Sequence, residues 1–242
     1  MLKFKDYEYK RPDLDKISIE FEELLTRFNN GETFEGQNKV MTEINKLRST
    51  VKTMGDLVYV RHSINTEDEF YAEEQDFLDE NMPKYQNIVS KFYRALVDSK
   101  FRPELEKVWG KQLFTLAELE LKTFSEEIIE DLVKENKLTT EYSKLIASAK
   151  IEFEGKIRNL SQMGPFMQSK DRDTRKKANE AYVNFFKENE SKFDEIYDEL
   201  VKVRTTMARK LGYENYVKMG YDRMSRSEYN AEDVANYRKQ VY

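Results

Sequence analysis

The sequence predicts an all-α fold of long antiparallel helices with one small β-hairpin near residues 151–160, and three observations carry that reading. Apolar residues recur three and four apart along most of the chain, the period of one helical face. Only 8 glycines and 4 prolines punctuate 242 residues, too few turns for a many-stranded sandwich. Charged side chains make up 36% and aromatic ones 13%, the mixture of helices that alternate solvated and core faces rather than of a disordered chain.

Residues 1–12 read as extended up to Pro12, after which Asp13 or Asp15 is placed to cap a helix. Ile17, Phe21, Leu24, Leu25 and Phe28 form its stripe, which Asn30 and Gly31 end. Val40, Ile44, Leu47, Val51, Met54 and Val58 alternate four and three apart, the seam of a second helix lying antiparallel on the first. Thr66 with Glu69 three residues later predicts a capping box and a helix that stops near Pro83. A further helix carries Tyr85, Ile88, Val89, Phe92 and Leu96, and Arg102-Pro103 opens a short one that Gly110 ends.

The stripe Ala117, Leu121, Phe124, Ile128 and Leu132 predicts one long helix, with Thr139 or Thr140 capping the next. Ile151 and Phe153 then alternate with glutamates, Glu154-Gly155 can turn, and Ile157 and Leu160 follow, which predicts the hairpin. An isolated hairpin is marginal in water, so this one is expected to pack on the helices. Gly164-Pro165 is the expected internal boundary, dividing the chain into 1–165 and 166–242.

From Asp171, a candidate N-cap, an amphipathic spine runs through Ala178, Tyr182, Phe185, Phe193, Ile196, Tyr197, Leu200, Val203, Met207 and Leu211 to Gly212, as one helix or two in line with a kink expected at Ser191. Unbroken, it would be roughly 60 Å long at about 1.5 Å per residue. Residues 221–229 follow the stop and read as irregular backbone. Asn230 and Asp233 open a last stripe, Val234, Tyr237 and Val241, with no stop signal, which suggests a fragment.

The 41 basic and 46 acidic side chains leave a net charge of −5, so no overall field draws the chain to nucleic acid or to an anionic membrane, and neither partner is expected. No run approaches the ~18 apolar residues of a membrane span. There is no cysteine and the N-terminus has no apolar leader, which fits a cytoplasmic protein.

His62 is the single histidine, so chemistry that needs two imidazoles fails by arithmetic. With no cysteine either, the two-histidine-plus-carboxylate shell of a hydrolytic zinc cannot be assembled, and no metal ligand or catalytic residue is assigned. A di-iron bundle needs paired E-x-x-H motifs, whereas Tyr59 stands three before His62. His62 is read as structural, at the end of the second helix, with a contact to peptide or to an absent half of the protein as the alternative. Glu126, Glu127, Glu130 and Asp131 are read as a solvated face, and no G-x-S-x-G or phosphate-binding glycine loop occurs. The cluster Arg172, Arg175, Lys176 and Lys177 is interleaved with Asp171, Asp173 and Glu180, so it does not make a nucleic-acid patch.

The runs DRDTRKKA, FDEIYDELVKVRTTMARKLGYENY and GYDRMSRSEYN resemble the N-terminal half of the zinc oligopeptidases of the oligoendopeptidase F and thimet oligopeptidase group. The likeness continues from about Leu57 to Tyr242, through VRHSINTEDEFYAEEQDFLDE and LIASAKIEFEGKIRNL. That resemblance implies a cytoplasmic zinc metallopeptidase hydrolysing short peptides. Its zinc and H-E-x-x-H glutamate would belong to a C-terminal catalytic region absent from this chain, whose partners are then that region and an oligopeptide substrate. It also implies that the helical half forms one wall of a channel. Tyr221, Arg223, Arg226 and Tyr229 become candidates for touching a peptide backbone or its carboxylate. Alternatively, Tyr221 and Tyr229 pack beneath the spine while Arg226 pairs with a glutamate. The rival reading of the whole is a non-enzymatic helical module that binds a partner helix or peptide.

Overall fold

The computed structural model describes residues 3–241; Met1 and Leu2 of the predicted extended segment, and Tyr242, lie outside them. Within that segment Phe4–Asp6 forms one 3-10 turn instead of extended chain, flanked by extended Lys3 and Tyr7, and residues 8–12 form no regular element. Eleven α-helices and one two-stranded antiparallel sheet follow among the described residues.

Asp13 caps α1 (Leu14–Asn29) by accepting from the Lys16 amide, and Thr33 caps α2 (Phe34–Ile64) by accepting from Gly36. α1, α2 and α3 (Glu69–Val97) join through short connections and pack on one another, α2 running antiparallel to both α1 and α3. Their stripes meet in one core, with Phe21, Leu24 and Phe28 facing Val40, Met41 and Ile44, and Tyr85, Val89 and Phe92 closing the third side. Leu105 of α4 (Arg102–Trp109) and Phe114 of α5 (Lys111–Thr123) cover its end.

Three expectations here are corrected. Asp68, not Thr66, caps α3, its carboxylate accepting from the Tyr71 amide. Pro83 does not stop that helix, which runs on to Val97. A proline leaves the carbonyl four residues back without its helical donor, and here that carbonyl, Asp79, accepts a 3.1 Å hydrogen bond from Asn136 Nδ2 on the neighbouring helix. The stripe from Ala117 to Leu132 is not one helix, since Phe124 and Ser125 are extended, Glu126–Ile128 is a 3-10 turn, and α6 (Ile129–Ala147) starts afterwards. The break keeps the helical phase, so Ala117, Phe124, Ile128 and Leu132 are all buried despite it. Thr139 and Thr140 therefore lie inside α6, where Thr139 bonds back to the Glu135 carbonyl and Thr140 donates to Asp79.

Asn136 thus joins α6 to the one carbonyl that Pro83 deprives. Asn136→Ala should cost about 1–3 kcal/mol, the penalty for a buried acceptor left unpaired, read as a lower urea midpoint.

The hairpin stands where expected, β1 (Ile151–Phe153) pairing antiparallel with β2 (Lys156–Arg158). Glu154 and Gly155 both take positive φ, 49° and 71°, the backbone of a two-residue hairpin turn. Ile151 and Phe153 turn inward onto Met163, Ala178 and Phe185, while Ile157 is 70% exposed. Gly164 and Pro165 do not interrupt the chain but sit within α7 (Leu160–Met167). Only one turn precedes Pro165, and Ser161, whose carbonyl loses its donor, is exposed to water.

The spine is two helices, α8 (Arg172–Glu188) and α9 (Glu190–Lys210), divided at Asn189 rather than Ser191. Asn189 has φ −110° and ψ 10°, and its side chain donates to the Phe185 carbonyl. Asp171 caps α8, and Gly212 closes α9 at φ 79°. After it, α10 (Tyr216–Arg223) is capped by Asn215, and α11 (Ala231–Val241) by Asn230, which accepts from the Glu232 and Asp233 amides. No described side chain of α11 is buried. No helix among the described residues is long and apolar enough to cross a membrane.

Candidate functional site: a polar recess along α6

A recess of about 620 Å³ follows α6 from Glu135 to Ala147, walled by the C-terminal end of α2, the first half of α3 and the start of α7. Packing of α6 between α3 and α9 opens it, and Arg204 of α9 and Arg223 of α10 close one end. His62 reaches it from the last turn of α2, and Gln75 and Asp79 from one face of α3.

Glu135 organises the closed end. It is 4% exposed, yet it is ionised, because two guanidiniums meet it. Arg204 Nε donates to Oε1 at 2.6 Å, Arg223 Nη1 donates to Oε1 at 3.1 Å, and Arg223 Nη2 forms an ion pair with Oε2 at 2.9 Å. Burial pushes its pKa up; the hydrogen bonds and charge of Arg223, then those of Arg204, outweigh burial and hold the carboxyl below its ordinary range. The pair ties α6 to α9 and α10 at a single point, and Arg223 also reaches the Tyr216 hydroxyl at 3.0 Å.

Asp79 behaves differently. Burial raises its pKa, and the hydrogen bonds from Thr140 (2.6 Å) and Gln75 (2.9 Å) offset that only in part. His62, 4% exposed, has its pKa lowered by burial first and by the Lys144 charge second, against the pull of Asp79 and Asp76. Its imidazole is therefore neutral, and among the described residues its Nε2 has no hydrogen-bond partner; neither has Gln75 Oε1. No group of three or more His, Cys, Asp or Glu side chains able to hold a metal ion occurs among the described residues.

Of the four residues singled out from sequence, Arg223 alone lines this recess. Tyr221 and Arg223 belong to α10 rather than to a loop, which corrects the expected irregular backbone; Arg226 and Tyr229 follow in the connection to α11. Arg226 pairs with no glutamate among the described residues. Its guanidinium lies 4.4 Å from the Tyr221 ring and 5.5 Å from that of Tyr229, which is 47% exposed. Arg223, not Arg226, makes the glutamate pair. Glu135 was missed, although a signal existed: it continues the Ile128, Leu132 stripe at helical spacing, and a carboxylate on an apolar face demands a cation.

The profile of the peptidase M3 N-terminal domain matches residues 4–124. The chain belongs to the M3 peptidase family. The M3 chain is also similar to three solved structures, each at a TM-score of 0.96. One is PZ peptidase A with an inhibitor, at 56% identity, covering 99% of this chain and 42% of the other. A second is a protein assigned as an oligoendopeptidase F from Bacillus anthracis strain Ames, at 54% identity over 100% of this chain and 44% of the other. A further protein assigned as oligoendopeptidase F matches at 53% identity over 100% and 43%. This M3 chain thus spans less than half the length of each of them. No match is found among curated proteins.

Proposed function

We propose that this chain is the N-terminal, channel-forming part of a zinc-dependent oligoendopeptidase of the cytoplasm that hydrolyses short peptides. The observation that carries the reading is the pair of coverages: nearly the whole chain aligns at 53–56% identity with PZ peptidase A and oligoendopeptidases F, yet it spans only 42–44% of their length. The family's zinc does not fit the donors present. One histidine, no cysteine and no cluster of three candidate ligands among the described residues leave a hydrolytic first shell unfilled. No hydrolytic step is therefore assigned to these residues; the metal and its water belong to the remaining region.

The role left to this chain is to bind and orient peptide and to bound the space around it. The Arg226 stack with Tyr221 and Tyr229 offers a cation and two ring faces beside α10, suited to a peptide backbone or carboxylate. Arg223 acts through Glu135 instead, fixing α10 against α6. The absence of cysteine supports the reducing compartment.

With added zinc and an internally quenched fluorescent peptide, the purified 242-residue chain should give no turnover above blank. The same assay on a chain extended to the length of its relatives should give cleavage that a chelator abolishes. Metal-dependent cleavage by the shorter chain would remove the proposal.

A further inference from the structure

We propose that the recess along α6 is a subsite for the carboxyl-terminal end of a short extended peptide, with its backbone on His62 and Gln75 and its terminal carboxylate on Arg204. This rests on the reading of the chain as part of a peptidase. It begins from two buried polar atoms without partners among the described residues, His62 Nε2 and Gln75 Oε1, on side chains that line the recess. Buried polar atoms are almost always hydrogen-bonded, so two orphans in one recess call for a partner. The hydroxyls around them are engaged: Ser63 donates to the Tyr59 carbonyl, Ser143 to that of Thr139, and Thr140 to Asp79.

The chemistry of the orphans restricts the occupant. Gln75 Oε1 only accepts, whereas Nε2 of a neutral imidazole donates or accepts according to its tautomer. A peptide unit offers both an N–H and a C=O. The length agrees: the twelve steps from Glu135 to Ala147 span about 18 Å at roughly 1.5 Å each, the reach of about five extended residues at ~3.4 Å each.

Charge sets the direction. Asp79 also lines the recess, bonded to Thr140, and an ionised Asp79 repels a carboxylate beside it. At the closed end two guanidiniums face one carboxylate, leaving an excess positive charge. Arg204 uses Nε on Glu135, and its two terminal nitrogens donate to no protein group among the described residues, although the side chain is 37% exposed. A free guanidinium edge is the geometry that receives a carboxylate through two parallel hydrogen bonds. Tyr59 and Tyr142, 65% and 46% exposed, flank the open side and give peptide side chains an apolar surface.

Because His62 is the single histidine, its ring resonances report on the recess without assignment. The 242-residue chain is titrated with an N-acetylated pentapeptide as the free acid and as the carboxamide, following the imidazole by proton–nitrogen correlation. The free acid should move the His62 signals saturably, and the carboxamide should bind about tenfold or more weakly, having lost a charge-assisted contact. Arg204→Lys keeps a charge for Glu135 but loses the fork, and should bring the two peptides together; His62→Phe, which keeps a buried ring, should weaken both. Signals that stay still at millimolar peptide, as when only water meets the two orphans, overturn the subsite. So does equal binding of acid and amide by the unmodified chain. Loss of the subsite would leave cleavage by the longer chain untouched, and failure of that cleavage would leave this titration standing, so the two results are separable.

Discussion

Glu135→Ala should lower the unfolding free energy by about 3 kcal/mol, measured as a shift in urea midpoint by far-UV circular dichroism. Removing one member of a buried ion pair costs roughly 3–5 kcal/mol, and the lower end applies here because Arg204 and Arg223 keep 37% and 28% exposure and partly rehydrate. Without the carboxylate two guanidiniums face each other where α6, α9 and α10 meet, so the loss is one of repulsion as well as of contact. Glu135→Gln, which keeps the shape and one acceptor, should cost less. The pH dependence carries a definite sign. The folded pKa of Glu135 lies below its ordinary 4.5, so its contribution is complete above that value and is lost as the pH falls through the folded pKa. The stability gap between the parent chain and Glu135→Ala should therefore narrow only below about pH 4.5. A gap that stays constant down to full acid unfolding would mean that the carboxylate charge is not what holds the three helices.

Most of the architecture was legible because one signal, helical periodicity, is local and repeated. The stripes Phe21-Leu24-Phe28 and Val40-Ile44-Val51 identify their buried faces without knowledge of the partner. What failed was punctuation, and in each case a distant residue overruled a local rule. Pro83 is a stop in isolation; Asn136, 53 positions later, supplies the donor that lets α3 continue. The extended pair Phe124-Ser125 broke a helix without disturbing the phase of its stripe, so periodicity could not reveal it. The recess was illegible for the same reason. His62, Gln75, Asp79 and Glu135 come from three helices, and no spacing along the chain unites them. Counting histidines needs no geometry, but no count along the sequence could find where a neutral histidine and a buried glutamate share a wall.

Phe92→Ala should be the most damaging single truncation in the N-terminal core, at about 3–5 kcal/mol. Phe92 is fully buried and stands at the centre of an edge-to-face arrangement, 6.3 Å from Phe21 and 5.8 Å from Phe28, so it joins α3 to α1 by both area and ring geometry. The Arg48 guanidinium, 5.7 Å from the same ring, adds a contact from α2. Truncation opens a space among three helices at once, and none can move into it without leaving the other two, which is why little relaxation is expected. Phe92→Leu fills most of that space and should cost about 1.5 kcal/mol or less. The core supplies its own reporter: Trp109, the single tryptophan, packs against this cluster and donates its indole N–H to Asn38 at 2.7 Å. Fluorescence of Phe92→Ala in urea should therefore show an earlier midpoint than the parent chain. If Trp109 keeps its midpoint while circular dichroism shows a loss elsewhere, the three helices are not a single cooperative unit built on this ring.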